Sequence, residues 1–194
     1  MFGPDGSGKT SIAHIFSGTH KIVAIRGTHT LASVVARFLK HFAYFRGSDN
    51  PYFEIKIPER MAGLWCFLEF ISVLPIIIHR FILLPRFKSV IAERSIPDFL
   101  AWLITTTKVQ VSSSPLQVFL IKLCSKQNRL VYVTASLETL ISRRPEQAEL
   151  IGTQLRVYDN LSELLGAYVI DTTFKTTEES ANEIMKLNFE KFRG

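Results

Sequence analysis

Cysteine is scarce in this chain: Cys66 and Cys124 are the only two among 194 residues, and each lies inside an apolar run. They read as buried free thiols without metal-ligand spacing, and a reducing, cytoplasmic compartment follows as the default. Paired histidines are lacking too. His14, His20, His29, His41 and His79 are scattered, with no two at helical ligand spacing. The formal net charge of +6 favours anionic partners in general. No Lys/Arg cluster interleaved with aromatics accompanies it, so a nucleic-acid groove is not expected. The amino end has no basic region followed by a cleavage signal, which argues against secretion. One long hydrophobic run exists, LWCFLEFISVLPIIIHRFILL at 64–84, and it reaches the length that a bilayer requires. Glu69, Pro75, His79 and Arg80 interrupt it, and a charge at mid-span costs roughly 3 kcal/mol. It reads as a pair of buried or partly interfacial helices, not as a membrane span.

What is present fits a folded α/β protein. The chain is 47% hydrophobic and 21% charged, which separates it from disordered sequences. Its length suits one domain with a real core, spanning 1–194. Short apolar runs alternate with helical patterns. KIVAIR (21–26), SVIAER (89–94), LVYVTA (130–135) and AYVIDT (167–172) read as strands. Helices are expected over Gly8 to Ser17, after Thr30, twice within 61–87 around Pro75, after Ile96, and from Pro115 behind Ser114. Ser136 should cap a helix through Arg143. Pro145 should start a long one carrying Leu150, Leu155, Tyr158, Leu161 and Leu165 toward one side. Thr176 with Glu179 forms a capping-box pattern before the last helix, which runs to about Arg193. Such alternation implies a mainly parallel sheet covered on both faces.

The most specific signal is at the start: Gly3-Pro4-Asp5-Gly6-Ser7-Gly8-Lys9-Thr10. Phosphate binding needs backbone N–H groups turned inward around an anion, and glycines at 3, 6 and 8 permit that backbone. The helix that follows adds its positive N-terminal end. Lys9 would reach the terminal phosphates and the Thr10 hydroxyl would ligate Mg²⁺. Such loops are normally fed by a buried strand, yet only Met1 and Phe2 precede Gly3. Either the chain is shortened there relative to a working protein, or another segment fills the gap.

In order and spacing these residues resemble the thymidylate kinase family of P-loop nucleotide kinases. GPDGSGKT is similar to that family's glycine loop with an embedded acid, and KIVAIRGT to its strand ending in arginine. SVIAERSIPDFLAWL is similar to its strand that ends in an acid-arginine pair. LVYVTASLETLISRRPEQAELIGTQLRVYDNLSELLGAYVIDTT resembles the strand, arginine-bearing lid, helix with spaced Gln and Tyr, and final strand ending in Asp. The resemblance implies a three-layer P-loop NTPase fold with a lid near 142–150, ATP and Mg²⁺ as cofactors, and transfer of phosphate to a nucleoside monophosphate, dTMP first. It implies that Arg94 and Arg26 grip the acceptor, that Arg143 and Arg144 swing in with the lid, and that Asp5 accepts a bond from the acceptor sugar. It also places Glu93 near Mg²⁺ or its waters and Tyr158 near the sugar, and it sets Trp65, Phe67 and Phe70 where the acceptor base stacks. A homodimer is an expectation of the same kind.

Two departures matter. The family follows its stacking aromatic with an arginine, whereas WCFLEFISVL offers Glu69. Glu93-Arg94-Ser95 also resembles a motif of deoxynucleoside kinases, in which the acceptor is a nucleoside. A deoxynucleoside kinase and a kinase-like binding protein without catalysis therefore stand as alternatives.

Overall fold

Side chains alternate across a strand, so four consecutive residues reach both faces of a sheet. That alternation organises the layers in a computed structural model of the chain, which describes residues 1–20, 23–25, 30–47, 53–79, 90–107, 115–125 and 130–190. Four strands pair in parallel, two by two. β1 (Val23–Ile25) lies beside β2 (Val90–Ala92) with Val23 opposite Val90. β3 (Val131–Thr134) lies beside β4 (Tyr168–Asp171) with Val131 opposite Tyr168. Met1 and Phe2 sit between the two pairs. The Met1 nitrogen donates to Ala92 O at 2.9 Å. On the other side Phe2 N donates to Val131 O and Val133 N to Phe2 O, both at 2.9 Å, a parallel bridge to Tyr132. These two residues hold the position of the strand that feeds the glycine loop.

Eight α-helices are described: α1 (Lys9–His20), α2 (Thr30–Leu39), α3 (Ala62–Ile78), α4 (Ile96–Thr107), α5 (Pro115–Ser125), α6 (Leu137–Arg143), α7 (Ala148–Leu165) and α8 (Thr177–Glu190). Phe2, Leu130 and Tyr132 face a core built with Cys66, Leu100, Leu103, Leu120 and Leu161, from α3, α4, α5 and α7. Val131, Val133 and Ile170 face the opposite side, against Ile12 and Phe16 of α1 and Ala181 and Ile184 of α8. Fully burying a side chain such as Phe2 stabilises by roughly 1.5–3 kcal/mol, so the two residues ahead of the loop are well anchored. A smaller cluster of Ala32, Ala36, Ile55 and Trp65 joins α2 to α3.

The caps expected at Ser136 and Thr176 form. Ser136 Oγ accepts from Thr139 N at 3.3 Å. Thr176 N donates to Glu179 Oε2 at 2.8 Å while Glu179 N donates to Thr176 Oγ1 at 3.2 Å. Cys66 and Cys124 are buried, and no disulfide joins them.

Other expectations need correction. Pro75 does not divide the apolar stretch at its own position, because it falls in the last turn of α3, where its missing N–H removes a single bond and the helix continues to Ile78. The second helix expected beyond it lies outside the described residues, as do Arg26 and Ser114. Pro145 opens a short 3-10 turn, Pro145–Gln147, and α7 begins after it. The inner stripe of α7 is Ile151, Gln154, Tyr158, Leu161 and Ser162, while Leu150, Leu155 and Leu165 are half-buried. Among the described residues no helix is long and apolar enough to cross a membrane.

Candidate functional site

The segment between Phe2 and α1 turns back on itself, which is where glycine matters. At Gly3, φ is +146° and a Cβ would stand 2.0 Å from the Val133 carbonyl oxygen, so only a residue without one fits. Gly6 and Gly8 follow at φ of +88° and +90°. The resulting loop delivers Lys9 and Thr10 to the first turn of α1, whose unsatisfied N–H groups and dipole favour an anion.

Lys9 folds over this loop. Its ammonium donates to Gly3 O and Pro4 O, each at 2.6 Å, and to Ser7 Oγ at 3.3 Å. Burial is the chief influence and pushes it below the ordinary lysine range, while the charges of Asp98 and Asp5 pull it back. Thr10 is exposed and its hydroxyl donates to Glu93 Oε1, bringing together the two residues expected near Mg²⁺. Arg94, one residue further at the end of β2, is bonded to Asp5 Oδ1 at 2.9 Å. From the opposite side Arg143, the last residue of α6, donates to Gly6 O at 3.0 Å and to Thr172 O and Oγ1 at 3.0 and 3.1 Å. Arg144 is bonded to Glu146 at 3.4 Å and stays exposed.

These groups line one cleft of about 360 Å³ that runs from Asp5, Lys9 and Thr10 past Arg143 and Arg144 to Lys175, Thr176 and Ser180. A smaller recess adjoins it through Asp5 and Arg94, and is otherwise lined by Asp98, Ala101, Trp102, Gln154 and Tyr158. Tyr158, expected near the acceptor, is one of its walls. Burial raises its hydroxyl well above the ordinary tyrosine value, and the charge of Asp98 adds to the effect.

The three aromatics expected to stack on a base lie elsewhere. Trp65 is buried between α2 and α3, edge-on to Phe53 at 5.9 Å. Phe67 faces outward at 57% exposure, and Phe70 packs against the main core. None of the three is among the described residues that line either recess. Besides Tyr158, the ring that borders the smaller recess is Trp102, half-buried on α4, with its Nε1 donating to buried Glu69 at 3.3 Å. Asp98, Trp102 and Thr172 line these recesses without standing out in the sequence, and Gln154 enters there only through the helix with spaced Gln and Tyr. Asp98 and Trp102 stand four apart on α4 and Gln154 and Tyr158 four apart on α7, so helical spacing carries the signal. The apolar run around Trp102 conceals it.

No family sequence model matches the chain. No curated protein matches it by sequence. Solved structures do match. Over 100% of this chain and 96% of the other, it is similar to the YorR protein of Bacillus subtilis, solved in complex with phosphorylated GDP, with a TM-score of 0.61 and 15% identity. It is similar to deoxyadenosine kinase from M. mycoides with bound dATP, with a TM-score of 0.59 and 13% identity over 96% of each chain. The same kinase with bound dCTP gives 0.53 and 16% over 96% of each chain. The fold is a P-loop kinase fold. A mostly helical α/β architecture around a small parallel sheet is shared along the full length, and at these identities it is the architecture alone that is shared.

Proposed function

We propose that this chain is an ATP-dependent phosphotransferase whose acceptor is a deoxynucleoside. The observation that carries the phosphotransfer reading is the convergence of Lys9, the Thr10–Glu93 pair, Arg94 and Arg143 on one cleft around a glycine loop. Transfer of a γ-phosphoryl group is mostly positioning and charge stabilisation, so cations on several sides of the moving group are what the reaction needs. Lys9 serves the donor's terminal phosphates. Arg143 stands at the rim of the loop with Arg144 beside it, and residues 142–150 act as the lid that excludes water. The cleft's far end, at Lys175 and Thr176, takes the donor's nucleoside.

The donor set suits Mg²⁺. A hydroxyl and a carboxylate, both hard oxygen ligands, stand together at Thr10 and Glu93, and this ion is usually held by one or two carboxylates plus phosphate oxygens. Among the described residues no group of three or more His, Cys, Asp or Glu side chains could form an all-protein cage. When bound, the ion neutralises charge on the donor phosphates.

The acceptor enters at the smaller recess, which at about 10 Å³ holds no more than a water until its walls part, with Tyr158 and Gln154 at the sugar or base and Trp102 as the stacking ring in place of Trp65, Phe67 or Phe70. Its charge favours a neutral hydroxyl acceptor. Among its described lining residues the guanidinium of Arg94 is engaged by Asp5, and Asp98 adds a second carboxylate. A phosphomonoester there would have to displace Asp5 from Arg94, whereas a neutral hydroxyl would not. The thymidylate kinase reading, with dTMP as acceptor, rests on the sequence resemblance and on Arg94 and Arg26, of which Arg26 lies outside the described residues.

A coupled assay of ADP release, run with Mg²⁺-ATP across deoxynucleosides and their monophosphates, tests both. Turnover with deoxynucleosides and not with monophosphates is expected. Turnover with dTMP alone would replace this acceptor with the thymidylate one, and ATP binding without turnover on any acceptor would leave a binding protein.

A further inference from the structure

Asp98 is buried, at 6% exposure, and its two oxygens are shared among three parts of the molecule. Oδ1 accepts from the Gly3 amide at 3.2 Å and from the Tyr158 hydroxyl at 3.1 Å. Oδ2 accepts from the Ser95 amide at 2.8 Å, one residue beyond Arg94. A single carboxylate thus ties the first glycine of the loop, the start of α4 and the middle of α7. It is not part of the phosphate-facing cleft; it lines the smaller recess.

The arrangement has a consequence for how two ligands are held. Lys9 is bonded to Gly3 O, so the peptide groups on the two sides of Gly3 are fixed by Asp98 and by Lys9. Tyr158 shares Oδ1 with the Gly3 amide, so whatever fills the recess and moves Tyr158 acts on the acceptor atom that holds the loop. Arg94 is carried by the same helix start that Oδ2 fastens. Burial holds Asp98 above the ordinary carboxylate range, with Lys9, the Ser95 amide and Arg94 drawing it back toward the ionised form.

Resting on the phosphotransfer reading, we propose that Asp98 is a positioning residue that keeps the phosphate loop and the acceptor recess in register, so that occupation of one is felt at the other. It touches the loop and the recess wall, and it acts on the reacting groups through Gly3, Arg94 and Tyr158.

The test is ATP affinity, measured by calorimetry with Mg²⁺ on the full chain, for wild type, Asp98→Asn, Tyr158→Phe and the double variant. Lys9→Ala serves as the control, and urea unfolding shows whether each variant is folded. Asp98→Asn keeps the size and one acceptor oxygen but sets an amide donor against a backbone N–H, and it should weaken ATP about tenfold. Tyr158→Phe, although its side chain lies in the other recess, should weaken ATP about threefold. The double variant should be no weaker than Asp98→Asn within twofold, because both changes act at one oxygen. Wild-type affinity in Asp98→Asn, or strictly additive losses in the double variant, would overturn the positioning role of Asp98 and leave the phosphotransfer reading standing. No ATP binding by wild type would remove both. Should Asp98→Asn fail to fold, unchanged ATP affinity in Tyr158→Phe alone overturns the coupling.

Discussion

The two halves of the cleft are built in different ways. On the donor side, residues adjacent in sequence make the site: Gly3 to Thr10 form a loop whose backbone and side chains point at one another, and Arg143 reaches in from one helix end. On the acceptor side, most of the lining comes from α4 and α7, brought together by the Tyr158–Asp98 hydrogen bond and by packing around Phe2, Tyr132 and Tyr158, whose rings lie 5.3–6.3 Å apart. A local site depends on a few irreplaceable atoms. An assembled one spreads its energy over many side chains, so single changes should cost less there.

The sharpest way to break that contrast is Lys9→Ala. Its ammonium is held by two loop carbonyls at 2.6 Å, and on the proposed function it serves the donor phosphates. Losing one such preorganised group lowers turnover by about 10²–10³, and steady-state kcat with the best acceptor would show it. Activity within threefold of wild type would mean that the loop does not hold the donor. Gly3→Ala comes next. A methyl 2.0 Å from Val133 O has nowhere to go without moving β3, and φ of +146° adds strain. The expected loss is about 3 kcal/mol or more in urea unfolding, and an unchanged midpoint would show that the loop is not clamped against the strand.

The same contrast explains which features are legible in the amino-acid sequence. The loop is legible because its chemistry is contiguous, and Ser136 and Thr176 because caps are local. The alternation that puts Tyr132 on one face and Val131 and Val133 on the other is legible as an apolar run, which suffices for a sheet covered on both sides. The acceptor side is not. Trp65, Phe67 and Trp102 all stand in apolar helical stretches, and which ring meets the recess depends on how α3 and α4 rotate against each other. Glu69 stands out in sequence as a departure, but that its carboxylate is fully buried and bonded to Trp102 is a matter of tertiary packing.

Trp102→Leu sharpens the acceptor side. The change keeps apolar volume in the wall and removes the flat ring. Base-on-aromatic stacking contributes roughly 1–3 kcal/mol, so the acceptor KM should rise about tenfold while the ATP KM stays within twofold. Equal rises in both would assign Trp102 to general support of the fold.

The smallest effect belongs to Trp65→Phe, and it is the matching control. Trp65 is 5% exposed in the cluster between α2 and α3, and its indole N–H is buried without a hydrogen-bond partner among the described residues. An unsatisfied buried donor costs roughly 1–3 kcal/mol, and phenylalanine removes that cost. The smaller ring gives back a similar amount through lost contacts and a residual void. The two terms oppose each other, so stability should stay within about 1 kcal/mol of wild type and the acceptor KM within twofold. A tenfold rise in acceptor KM in a folded Trp65→Phe variant would move base recognition from the α4–α7 wall to the α2–α3 side, where the family resemblance puts it.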